Sequence, residues 1–186
     1  MSYIKKLNQL LHIYDASYFS IRYTAWARRH EDLLASFMVY PVPIDDGVTG
    51  LQRALDEIVS DGKTFTRCLF ETHGNVGSIY FKGERLDASV LNAKFVNKGY
   101  ERIFPYLWSR IYFNGCNISD DNRGWDFLDA AGRIFLRLGG GSTFAQTGPG
   151  RIPPWGILTG HIYHFGADTC YSDWLPGGQF SRHRSE

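Results

Sequence analysis

The sequence predicts an α/β domain built on a mainly parallel sheet. Three observations carry this. Strand and helix patterns alternate from Phe65 to Gln146, two strongly apolar strands end in His73-Gly74 and Gly115-Cys116, and a helical segment fit for a crossover separates those two strands. In open sheets of this kind ligands bind outside the carboxyl ends of the strands, so His73 and Cys116 are expected on one edge.

The elements follow in order. Residues 1–34 are aromatic and basic, and Tyr14, Tyr18, Ile21 and Ala25 recur at helical spacing, which predicts an amphipathic helical segment that packs on the domain's flank or meets a partner. Residues 35–43 predict a strand stopped by Pro41 and Pro43. Leu51, Leu55 and Ile58 mark a helix with Thr49 as a possible cap and Asp61-Gly62 as its stop. A strand over 65–71 runs into Thr72-His73-Gly74-Asn75, and residues 78–81 and 85–86 flank Lys82-Gly83-Glu84 as a hairpin.

Apolar spacing predicts helix over most of 87–108, with Leu91, Phe95 and Tyr100 inward and Pro105 as a kink or end. Residues 110–114 predict a buried strand. Asp120, Asp121 and Asn122 are candidate caps for a helix over 123–138, which Gly139-Gly140-Gly141 terminates before a strand over 142–146. Beyond a Gly- and Pro-rich loop, residues 157–165 and 170–174 are expected to form a C-terminal hairpin. The whole is read as one domain over 1–186, with an N-terminal segment (1–34), a core (35–148) and a C-terminal loop and hairpin (149–186).

Composition narrows the function. The 186 residues are 44% hydrophobic and 21% charged, which suits one packed core and argues against disorder. A net charge of +1 gives no global reason to expect a nucleic-acid partner. No apolar run reaches the ~18 residues of a membrane span, so stable insertion is not expected. Residues 1–31 are too polar for a secretory signal, which predicts a cytoplasmic protein or an effector exported without a signal. Cys68, Cys116 and Cys170 are odd in number and widely spaced, as suits reduced thiols.

The chemistry lies at the two strand ends. A free thiol titrates near ~8.5, so Cys116 needs a base or a local positive field to attack a carbonyl as thiolate. The His73 imidazole supplies either, and the helix beginning near Asn122 adds a positive dipole end. Gly74 and Gly115 leave backbone unshielded, so the N–H groups of Gly74 and Cys116 are candidate oxyanion donors. Glu71, Asn75, Asn114 and Asn117 flank the pair as candidate pocket or orienting residues. Trp155, Asp173 and Trp174 are candidate walls of the site. This chemistry needs no metal or organic cofactor, and its partner would be a protein or peptide substrate.

The segments Cys68-Leu69-Phe70-Glu71-Thr72-His73-Gly74 and Arg110-Ile111-Tyr112-Phe113-Asn114-Gly115-Cys116 resemble the His-Gly and Gly-Cys strand ends of caspase-like peptidases of clan CD. Together with Gly77-Ser78, Leu86, Asn117-Ile118, Gly124, Phe127-Leu128 and the glycines before Ser142, they look like the caspase-like domain of unknown function near the N-termini of large bacterial repeat adhesins. The resemblance covers about residues 65–148. It implies a caspase-like three-layer sandwich, His73 as general base, Cys116 as nucleophile and the amides of Gly74 and Cys116 as oxyanion donors. A cysteine endopeptidase acting as an effector or toxin is the expectation. The alternatives are a non-catalytic peptide-binding module and a Cys–His acyltransferase or amidase.

Other motifs have plainer readings. Cys68 lies within a strand and is expected in the core. The His161-X-X-His164-X5-Cys170 grouping does not put its members on one strand face, which argues against zinc. Gly139–Gly141 follows a helix and lacks a Lys-Ser/Thr, so it reads as a helix stop and not a phosphate loop. Asp120 and Asp121 read as helix caps before they read as a selector for basic substrates.

Overall fold

The computed structural model describes residues 9–23, 25–26, 38–148 and 169–185. In chain order the elements are β1 (Gln9–Asp15), β2 (Met38–Ile44), α1 (Gly47–Ser60), β3 (Arg67–Glu71), β4 (His73–Asn75), β5 (Ser78–Phe81) and β6 (Glu84–Asp87). Then come α2 (Ala88–Lys94), a 3-10 turn (Tyr100–Arg102), β7 (Arg110–Asn114), α3 (Asn122–Phe135), β8 (Gly141–Gln146), β9 (Thr169–Trp174) and β10 (Phe180–Ser185). The central sheet runs β10-β9-β8-β7-β3-β1-β2, and β4-β5-β6 form a separate antiparallel sheet. The neighbours β2/β1, β1/β3, β3/β7 and β7/β8 are parallel, while β9 and β10 extend the sheet antiparallel. The protein is thus a mixed α/β fold on a mostly parallel sheet.

β1 corrects the expected N-terminal helix. Leu10-Leu11-His12-Ile13-Tyr14 is a near-continuous apolar run, and a parallel strand covered on both faces needs that pattern. The helical spacing of Tyr14, Ile21 and Ala25 still has a structural basis. These three cluster, because residues 19–23 and 25–26 are helical and fold back over the strand that carries Tyr14. At the sheet's edge, Pro41 and Pro43 lie opposite His12 and Tyr14. Lacking N–H groups, they blunt an edge that would otherwise template further pairing.

Alternation sorts the core. Leu11, Ile13, Cys68, Phe70, Ile111, Phe113 and Ala145 face the main cluster with α1 and α3, whose buried stripes are Leu51, Leu55 and Ile58, and Phe127, Leu128, Ala131 and Phe135. Leu10, Leu69 and Tyr112 form a second cluster on the opposite face, with Val39 and Phe144 against it. The helical residues packed on Tyr14 lie on that opposite face, an arrangement consistent with a three-layer α/β sandwich.

Two further expectations change. The helix predicted over 87–108 ends at Lys94, because Asn97 (φ 61°) and Gly99 (φ 82°) turn left-handed, although Leu91, Phe95 and Tyr100 are buried as expected. The C-terminal hairpin is β9 with β10. The strand expected over 157–165 lies outside the described residues. The hairpin is pinned to α3 by buried Asp129, which accepts from Ser172 Oγ at 3.0 Å and from Arg182 Nε at 3.0 Å.

Candidate active site

The two strands that carry the predicted dyad are immediate neighbours. β3 and β7 run parallel with Glu71 opposite Asn114, and His73 and Cys116 each lie two residues beyond that pair. A hydrogen bond from Thr72 N to Asn114 O (3.2 Å) extends the ladder one step past β3. The buried Thr72 hydroxyl then accepts from Tyr80 N at 3.3 Å and meets the Tyr80 carbonyl, which fixes the corner where the chain leaves the main sheet for β4.

Beyond the strands the chain segments touch through glycine. A Cβ on Gly74 would lie 2.8 Å from the Gly115 carbonyl carbon and 2.9 Å from the Cys116 nitrogen, and one on Gly115 would lie 2.9 Å from both Cα and N of Gly74. Backbone-to-backbone contact at that range leaves no room for a side chain. It brings the peptide units that follow His73 and precede Cys116 together, and both the His73 and Cys116 side chains are exposed.

The loop after Cys116 is tied on two sides. Ile118 O accepts from Gly77 N (2.8 Å), Asn117 N donates to Gly148 O (3.0 Å) and Ser119 N to Gln146 O (3.0 Å). Asn117 takes a left-handed conformation (φ 56°), which a short polar side chain tolerates. α3 begins six residues after Cys116. Its cap is Asp121, whose side chain accepts from Arg123 N at 2.7 Å. Arg123 also bonds this carboxyl at 2.9 Å and holds it below its usual range. Asp121 is therefore committed to capping, and Asp120 beside it is exposed.

The flanking candidates have these surroundings. Buried Glu71, two residues before His73 in the chain, meets the Nε2 of buried His12 at 2.9 Å. Asn114 is buried beside it, and exposed Asn75 accepts from Val76 N at 2.8 Å through its own side chain. Trp174 corrects an expectation. It pairs with Gly141 at the amino-terminal edge of β8 and lies against Gly132 of α3, so it sits at the end of the sheet opposite Cys116. Asp173 is opposite Ser142 at that same far end, while Trp155 lies outside the described residues.

The other thiols are set apart by burial. Cys68 is fully buried in β3, which pushes its thiol well up, and Cys170 is fully buried with Sγ 3.8 Å from Ser119 O. His161 and His164 lie outside the described residues, and among the described residues no three His, Cys, Asp or Glu side chains gather as a metal set. Gly140 (φ 79°) and Gly141 turn the chain after α3, as a helix stop requires. No helix among the described residues is long and apolar enough to cross a membrane.

Two residues that contact His73 or the strand leading to it escape sequence reading. The Tyr18 ring stands edge-on to His73, with centroids 4.5 Å apart and planes at 84°. His12 is the other. Its signal is the apolar run of β1, which the helical spacing of Tyr14, Ile21 and Ala25 outweighs. Comparison with known proteins finds no family model that matches this chain and no curated protein that matches it.

Proposed function

We propose that the protein is a cysteine endopeptidase of caspase-like three-layer architecture, with Cys116 as nucleophile and His73 as its base. The observation that carries the reading is the glycine contact between Gly74 and Gly115, which joins the ends of two parallel strands just where an exposed thiol and an exposed imidazole leave them. A structural cysteine has no need of such an arrangement. The buried thiols of Cys68 and Cys170 illustrate the alternative, since both serve as small core side chains.

The chemistry runs in two halves. His73 takes the proton of the Cys116 thiol, and the thiolate adds to the carbonyl carbon of a peptide bond. The N–H groups of Gly74 and Cys116 are the donors for the resulting oxyanion. The C–N bond then breaks, His73 returns the proton to the departing amine, and a thioester remains on Cys116. Water, deprotonated by His73, attacks the thioester, and the carboxylic acid product leaves as the thiol is restored.

Cleavage of a diverse peptide library, read by mass spectrometry, tests this. The wild type is expected to generate new termini that Cys116→Ala fails to generate, with a loss of at least about a thousandfold. The same loss is expected for His73→Ala. Products that persist in Cys116→Ala, or no products from any of the three proteins, would remove the peptidase reading.

A further inference from the structure

We propose that the aromatic hollow beside His73 binds a bulky apolar side chain of an extended polypeptide. The proposal deepens the peptidase reading, on which its biological meaning rests, but the binding step itself requires no catalysis.

The hollow has a volume of about 400 Å³ and lies where the carboxyl ends of β1 and β2 meet the helical residues that follow β1. Tyr14 and Pro43 form its sheet side, and Phe19, Arg22, Tyr23 and Trp26 its other wall. Phe19 is 80% exposed, Tyr23 61% and Trp26 50%, with the rings of Tyr23 and Trp26 stacked. Large apolar side chains gathered on a concave surface are what a fold presents for recognition, and Trp, Tyr and Arg are the residue types that dominate binding hot spots.

The hollow and the dyad share one piece of chain. Tyr18, which touches His73, directly precedes Phe19, so a chain lying along the dyad would meet the hollow within a few residues. The connection is held in shape. The buried Asp15 carboxylate accepts from Ser17 N (3.0 Å) and Lys82 N (2.9 Å), Ala16 N donates to Ile44 O (2.7 Å), and Arg22 N donates to Tyr18 O (3.0 Å). A surface organised before binding loses less freedom on binding.

The occupant follows from the lining. Among the described residues no carboxylate lines the hollow to receive a basic side chain, and its walls are aromatic. Among the described lining residues Arg22 is the one cation, whereas a strand of nucleic acid requires several contacts to successive phosphates. A phenylalanine- or leucine-like side chain of a polypeptide meets the observed chemistry.

The test uses the full chain carrying Cys116→Ala, so that nothing is turned over. Three pools of fluorescent decapeptides with a fixed central Phe, Leu or Ala, and a labelled oligothymidylate, are titrated and followed by anisotropy. The Phe and Leu pools are expected to bind at least tenfold more tightly than the Ala pool. Adding Phe19→Ala and Trp26→Ala is expected to abolish that difference at an unchanged melting temperature, since both side chains are largely exposed. Equal affinity for the three pools, a difference that survives the two substitutions, or tighter binding of the oligonucleotide would overturn the proposal. A peptide preference in a protein whose wild type cleaves nothing would uphold the hollow and remove the peptidase reading.

Discussion

Gly74 and Gly115 are glycines for want of space. Neither has the positive φ that often explains the residue, and each would drive a Cβ into backbone atoms of the other segment. Backbone cannot rotate away as a side chain can, so Gly74→Ala must separate the two segments or strain them. Overpacking of this kind costs about 1–3 kcal/mol. At about 2–4 °C per kcal/mol for a protein of this size, thermal unfolding of Gly74→Ala should fall by several degrees. An unchanged melting temperature would mean that the contact between Gly74 and Gly115 is looser than its geometry implies. The glycines beside His73 and Cys116 were legible in the sequence as unshielded backbone. Their contact with each other was not, because it depends on β3 and β7 being neighbours in register. Tyr18 was hidden for the same kind of reason, since it reaches His73 only once β1 is in the sheet.

Among the elements, those legible in sequence are the ones whose local signals agree with their surroundings. β7 occupies 110–114 as expected, and α3 starts one residue from the expected position because Asp121 is an effective cap. β1 was not legible, since a strand buried on both faces has no alternation to set against a fortuitous helical spacing. The antiparallel edge depends on a tertiary anchor that no local pattern announces. Asp129 of α3 holds Ser172 of β9 and Arg182 of β10, and Ser172 is fully buried. Asp129→Ala would leave that hydroxyl without its acceptor, at a cost of about 1–3 kcal/mol. Hydrogen exchange should consequently rise in β9 and β10 well before it rises in β3 and β7. Uniform destabilisation of the whole sheet would argue against Asp129 as a local clamp.

At the scale of the molecule, the three cysteines sample three depths of one sheet. Cys116 is exposed beyond the carboxyl end of β7, Cys170 is buried in β9 beside the antiparallel edge, and Cys68 is buried in β3 between two parallel neighbours. A thiol reacts only when solvent reaches it, and stability differs between an edge and a centre. Iodoacetamide should therefore alkylate Cys116 in the native protein, Cys170 when the C-terminal hairpin opens, and Cys68 only when the sheet as a whole comes apart. Burial raises the Cys68 thiol well above its usual range, which slows its reaction further during partial opening. Folded domains are stable by about 5–15 kcal/mol, so Cys68 should react at least about a thousandfold more slowly than Cys116 in native buffer. Digestion and mass spectrometry across a urea series would resolve the three sites. The order Cys116, Cys170, Cys68 with rising urea is expected. Early alkylation of Cys68 would be incompatible with β3 as an interior strand, and with it the neighbouring strand ends from which His73 and Cys116 leave the sheet.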